Sequence, residues 1–230
     1  MPTKPQIFVH LVGYAGSGKT TLGHALERSH PNRILLASRI ERGSNIKRLR
    51  VQIRVLRYVP RIMGFALMCR PLTLRAYFKI FNTFLDYYLQ RTRSAEVPVP
   101  IVVFDEGIPH RLRVLRRMLG GRFSFNDLPR RSQVALAREI DCIIIVKPPA
   151  DIVQERLTMR GSPPRYSSKT FDAHYEESIK KTLGDVRALE SVNPGVFSIL
   201  TAPTADIDEE AQRIAEQLLV ASVASSAKRT

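Results

Sequence analysis

Residues 7–20 read Ile7-Phe8-Val9-His10-Leu11-Val12-Gly13-Tyr14-Ala15-Gly16-Ser17-Gly18-Lys19-Thr20. An apolar, β-branched run passes into a glycine-rich turn, and the turn into a helix-favouring stretch, Lys19–Ser29. The run Ile7–Val12 is continuous rather than alternating, as in a strand buried on both faces. The octet Gly13–Thr20 matches G-x-x-x-x-G-K-[ST] in full, between the strand and the helix that give this motif its meaning. Gly13, Gly16 and Gly18 let the backbone turn where a side chain would obstruct it. The N–H groups of Gly13, Tyr14, Ala15, Gly16, Ser17, Gly18, Lys19, Thr20 and Thr21 then converge on phosphate oxygens, helped by the positive end of the helix. Lys19 is expected to reach the terminal phosphates. The Thr20 hydroxyl is expected to hold Mg²⁺, a hard cation that prefers oxygen.

Further short apolar runs at Ile34–Leu36, Ile101–Phe104, Cys142–Val146 and Val196–Leu200 predict four more strands. Helical patterns at Asp151–Arg160, Phe171–Glu190 and Asp208–Val220 fall between or after them. Strands separated by helices predict an α/β three-layer sandwich around a parallel sheet. The segment 40–96 has helical but no strand character, so it reads as a helical insertion broken near Pro60 and Pro71. The tail 221–230 is small and polar and is expected to fray. No internal repeat appears, and the 230 residues are read as one domain. Two cysteines exclude a disulfide scaffold. No apolar stretch approaches the roughly twenty residues of a membrane span, and no signal peptide is evident, so a cytoplasmic location is expected.

The run Ile101-Val102-Val103-Phe104 ends in Asp105-Glu106-Gly107. A carboxylate there suits Mg²⁺, making Asp105 a second metal ligand beside Thr20. Glu106 reads as a base, a water-orienting group, or a carboxylate favoured by a helix N-terminus. Arg156 and Arg160, four apart, share a helix face. They precede a turn-rich loop, 161–170, suited to close over a triphosphate and offset its charge in the transition state.

The net charge is +15, from 36 Lys and Arg against 21 Asp and Glu. Between Arg42 and Arg93 stand twelve cations (Arg42, Lys47, Arg48, Arg50, Arg54, Arg57, Arg61, Arg70, Arg75, Lys79, Arg91 and Arg93) and one acid, Asp86. A second cluster comprises Arg111, Arg113, Arg116, Arg117, Arg122, Arg130 and Arg131. Each arginine alone reads as a solvated helix face, whereas the asymmetry as a whole points to an anionic partner. The apolar stretch from Tyr58 to Leu72 reads either as an interfacial helix or as a core helix of the insertion. Phe78, Phe81, Phe84, Tyr87 and Tyr88 recur at helical spacing and read as core, and the five histidines show no metal-ligand spacing.

The loop, the Asp after the third strand and the R-x-x-x-R pair together resemble the P-loop nucleoside and nucleotide kinases, the thymidylate kinase-like group above all. That resemblance implies a sheet order 2-3-1-4-5 and Mg²⁺-ATP on the loop. Lys19, Asp105, Glu106, Arg156 and Arg160 become the catalytic set, and Arg156 also a nucleotide contact. It places adenine near Thr201-Ala202-Pro203-Thr204 and the acceptor near Arg39 and Arg42. Two family features are missing: Asp105 is followed by Glu106-Gly107 rather than by Arg and an aromatic, and no Glu-Pro-Gly follows the second strand. ATP-dependent transfer to a small hydroxyl- or phosphate-bearing acceptor is the activity implied. The other reading is a nucleotide-dependent switch whose basic helices hold nucleic acid or an anionic membrane surface.

Overall fold

The computed structural model describes residues 6–40, 45–68, 73–119, 123, 125–161, 168–202 and 206–227. Five strands, β1 (Ile7–Gly13), β2 (Ile34–Leu36), β3 (Ile101–Phe104), β4 (Cys142–Val146) and β5 (Phe197–Thr201), form one parallel sheet in the order β2-β3-β1-β4-β5. The central strand, β1, pairs Ile7 with Ile101 on one side and Val9 with Cys142 on the other. This is the fold class and strand order expected above. The fifth strand lies one residue later than its apolar run suggests.

Alternation along β1 divides the core. Ile7, Val9 and Leu11 face a layer made with α1 (Lys19–Ser29) and the last helix, Ile207–Ala227. Phe8 and Val12 face the opposite layer, where Tyr87, Tyr88, Ile108 and Leu112 are buried. Both strand faces are therefore dry, which accounts for the unbroken apolar runs.

Three helices, α2 (Asn45–Leu56), α3 (Val59–Met68) and α4 (Leu74–Ser94), connect β2 to β3. Pro60 sits in the first turn of α3, where a missing N–H costs little, so the chain breaks just before it. Val51 and Val55 of α2, Ile62 and Phe65 of α3, and Ile80 and Phe84 of α4 join the core. The stretch after Tyr58 thus supplies core residues, as one of its two readings holds.

Two helices arise that periodicity did not predict: α5 (Ile108–Met118) and α6 (Arg130–Ala137). Arginines crowd α5 and mask its amphipathic pattern. Helices α7 (Ala150–Met159) and α8 (Ser168–Val192) connect β4 to β5, and α9 (Ile207–Ala227) continues well into the tail expected to fray. Leu218 of α9 is buried in the core and Ala221 packs partly against it, while Val220 and Val223 are exposed.

One buried polar contact fixes the start of α5. His10 lies in the middle of β1 with no exposed surface. Burial, reinforced by the charge of Arg91, holds its ring neutral, with a pKa of about 3. Its Nδ1 accepts the Ile108 N–H at 3.0 Å. The turn carrying Asp105 and Glu106 is thereby tied to the central strand. Gly107 makes the approach possible, because a Cβ there would stand 2.3 Å from His10 Nδ1.

Gly107→Ala is accordingly expected to lower unfolding stability by roughly 1–3 kcal/mol through overpacking. Gly184→Ala, whose Cβ meets nothing within 4 Å in α8, is expected to raise it by roughly 0.5–1 kcal/mol. Urea titrations of both variants check the contrast. An unchanged midpoint for Gly107→Ala would show that the packing at His10 is loose.

Candidate phosphate-binding site

The Gly13–Thr20 stretch forms a strand–loop–helix turn. Gly16 and Gly18 adopt φ of 81° and 88°, left-handed values open to glycine at no steric cost. A Cβ at Gly13 would come 2.5 Å from the Val146 carbonyl oxygen, so a side chain there would push the loop off the sheet. Ser17 N–H closes the turn onto the Tyr14 carbonyl at 3.2 Å. Lys19, Thr20 and Thr21 open α1, and first-turn N–H groups have no partner inside their own helix. Thr20 and Thr21 are exposed there.

The outer wall of the loop is aromatic and aliphatic. The Tyr14 ring meets Tyr175 and Phe171 of α8 edge-on, at centroid distances of 5.5 and 5.9 Å. Leu157 of α7 backs Gly16, and Arg156 backs Gly18. Arg156 Nη1 donates to the Ser17 carbonyl at 3.5 Å, at the limit of a hydrogen bond. Tyr14 therefore offers the site its backbone, while its side chain anchors the loop to α8.

Lys19 departs from the expected pose. Its Nζ folds back on the loop and donates to the Tyr14 carbonyl at 2.7 Å and the Gly13 carbonyl at 3.1 Å. A buried ammonium must find oxygen acceptors, and these are the nearest. Arg113 Nη1 donates to that same Gly13 carbonyl at 2.6 Å. Two cations share one oxygen.

Burial and then the Arg113 charge bring the Lys19 pKa down to about 8; Glu106 and Asp105 oppose the shift and Arg160 adds to it. Arg113 is itself pulled below the ordinary arginine value, by burial and by Arg117. His110 falls to about 4, by burial and by Arg113, Lys19, Arg111 and Arg117. Lys19 thus lies in the field of Arg113 and Arg160 against Glu106 and Asp105, while Arg117 acts on Arg113 and on His110. Such crowding is relieved by an anion.

Arg156 reaches the loop at the Ser17 carbonyl, and Asp105, Glu106 and Arg160 lie close enough to act on Lys19. Arg39 pairs with Glu27 of α1 at 2.8 Å, and Glu27 also accepts the Leu36 N–H. Arg42, and most of the loop 161–170, lie outside the described residues. Thr201 is buried at the end of β5, its hydroxyl bonded to Glu210, while Pro203 and Thr204 are not described. Sequence reading missed Arg113 and His110. Their signal was present: His110, Arg113 and Arg117 follow one another at helical spacing and share a face of α5. The other α5 arginines are occupied structurally, Arg111 with Asp86 at 3.0 Å and Arg116 with buried Asp185 at 2.6 Å.

No family model matches the sequence, and no curated protein does. Among solved structures, shikimate kinase from Acinetobacter baumannii in complex with shikimate aligns over 94% of this chain and 95% of its own, with 10% identity and a TM-score of 0.43. TT1252 from Thermus thermophilus aligns over 94% and 98%, with 15% identity and a TM-score of 0.42. Identities this low say nothing of chemistry, which has to come from the side chains themselves.

A polyphosphate placed on these cations is expected to restore the Lys19 ammonium to its ordinary range. Binding of inorganic tripolyphosphate should then take up a proton above pH 8, and affinity should fall as pH rises through that value. Calorimetry in buffers of differing ionisation heat reads the uptake. Lys19→Arg, charged throughout, should show no such step; an identical step in that variant would assign it to another group.

Proposed function

We propose that the protein is a P-loop phosphotransferase that moves the terminal phosphoryl group of Mg²⁺-ATP to a small acceptor. The observation that carries this reading is the pairing of Lys19 and Arg113 on the Gly13 carbonyl, beneath a glycine turn and beside Asp105 and Glu106. The residues fit the ligands assigned to them. Gly16 and Gly18 hold the left-handed backbone that shapes the turn, and phosphate oxygens are better acceptors for two cations than a shared carbonyl.

Mg²⁺, when bound, offsets phosphate charge. Thr20 and Asp105 are the oxygen donors that would hold it, and a magnesium ion on nucleotide phosphates needs only one or two protein ligands. Lys19 and Arg113 stabilise charge on the transferred group, and Arg156 and Arg160 close on it from α7. Phosphoryl transfer asks a protein mostly for positioning and electrostatics. Glu106, exposed beside Lys19, would accept the proton of an acceptor hydroxyl as it is lost to the new P–O bond. A phosphate acceptor would use arginine rather than a base.

Lys19→Ala and Arg113→Ala are each expected to cut ATP-dependent transfer by about 10²–10³, the scale of losing one preorganised donor, with far-UV spectra unchanged. The assay follows ATP consumption and product mass over a panel of nucleosides, nucleotides and sugars. Turnover in Lys19→Ala equal to that of the parent would refute the assignment.

A further inference from the structure

The helices between β2 and β3 carry a surface that phosphoryl transfer does not explain. Ten large apolar side chains are exposed among the described residues, and six of them stand on α2–α4: Ile53, Leu56, Met63, Leu67, Leu74 and Phe78. They come as one pair per helix at i,i+3 or i,i+4 spacing, so each pair is contiguous. On every helix the pair lies away from the buried side, formed by Val51 and Val55, Ile62 and Phe65, and Ile80 and Phe84. Leu74 is 72% exposed and Leu67 63%. Apolar groups this open are stable only if something covers them or if they cost little when alone, and these three pairs stand on one packed unit, α4 lying against both α2 and α3.

Cations stand between the pairs. Arg57, Arg75 and Lys79 meet no carboxylate among the described residues, whereas Arg54 is paired with Glu96 and Arg61 with Glu139. Across the stretch from Arg42 to Arg93 the sequence sets twelve cations against one acid. That charge selects the occupant. A second copy of the chain would bring like charge against like charge. Nucleic acid would match the cations but give the aliphatic side chains nothing to enter. An anionic lipid surface answers both, taking the cations at its headgroups and the apolar pairs just below them. No helix among the described residues is long and apolar enough to cross a membrane, so the contact is peripheral. Beside the same helices a cavity of about 270 Å³ is walled by Phe65, Phe84, Tyr88 and Leu136 with Arg61 and Arg131, again apolar surface joined to guanidinium.

We infer that α2–α4 form a docking face for an anionic lipid bilayer, independent of the phosphate site. The test is flotation of the full chain with phosphatidylcholine vesicles and with vesicles containing added phosphatidylserine. The chain is expected to float with the second and not the first. Arg75→Gln combined with Lys79→Gln should weaken binding roughly thirtyfold. Leu67→Ser combined with Phe78→Ser should weaken it on the order of a hundredfold. Both double variants should bind Mg²⁺-ATP as the parent does, since none of these residues touches the loop; this keeps a lost lipid contact distinct from a lost fold. Any of several results overturns the inference: no flotation, equal flotation with both vesicles, or full flotation of the serine variant. So would duplex DNA binding that the serine variant retains, or a dimer in sedimentation that the serine variant dissolves.

Discussion

A buried ammonium has to find oxygen, and Lys19 finds it in its own loop, at the carbonyls of Tyr14 and Gly13. Everything else at the candidate site follows from how crowded that solution is. Arg113 arrives on the same Gly13 oxygen from α5, Arg160 adds its field at Lys19 against Asp105 and Glu106, and Arg117 adds its own at Arg113. Like charges held this close cost free energy, and burial raises the cost because the local dielectric is low. The protein tolerates the arrangement because the sheet and the α7–α8 wall fix the loop rigidly, with Tyr14 packed against Tyr175 and Phe171. A polyanion removes the repulsion and gives each cation a better acceptor.

The placement of the acidic turn is a matter of packing as much as charge. Asp105 and Glu106 stand where they do because β3 runs beside β1 and because His10 takes the Ile108 N–H. His10 is kept neutral by burial, so it can act as acceptor without adding another positive charge beside the cluster. Gly107 is the small residue that lets the two segments meet. A ring in the middle of a strand thus positions residues two elements away.

Much of this was legible in the sequence. The octet Gly13–Thr20 announced its own geometry, and the unbroken apolar runs of β1, β3 and β4 announced strands covered on both faces, whereas edge strand β5 leaves Ser198 and Leu200 exposed. Apolar spacing placed three of the helices to within a few residues and the start of a fourth, α9, to within one. Helix α5 escaped because four of its eleven residues are arginine, and a hydrophobic period is hard to see through so many charges. The same arginines split only in three dimensions. Arg111 and Arg116 satisfy Asp86 and Asp185, while Arg113 turns to the loop. Nothing in a one-dimensional pattern distinguishes a charge with a partner from one without. Arg39, after the second strand, is paired with Glu27, a contact its place in the sequence does not announce.

Charge therefore works at two places in different ways. On α5 and α7 it is gathered on a point and partly buried; on α2–α4 it is spread over an exposed face among apolar side chains. The central claim concerns the first, that the amides and cations of the loop receive a polyphosphate chain. Amide hydrogen exchange of the whole protein with and without Mg²⁺-ATP measures it residue by residue. The account predicts strong slowing confined to Ala15–Thr21 and the start of α5. Unchanged exchange across that loop at saturating nucleotide, or slowing that appears only elsewhere, would contradict it.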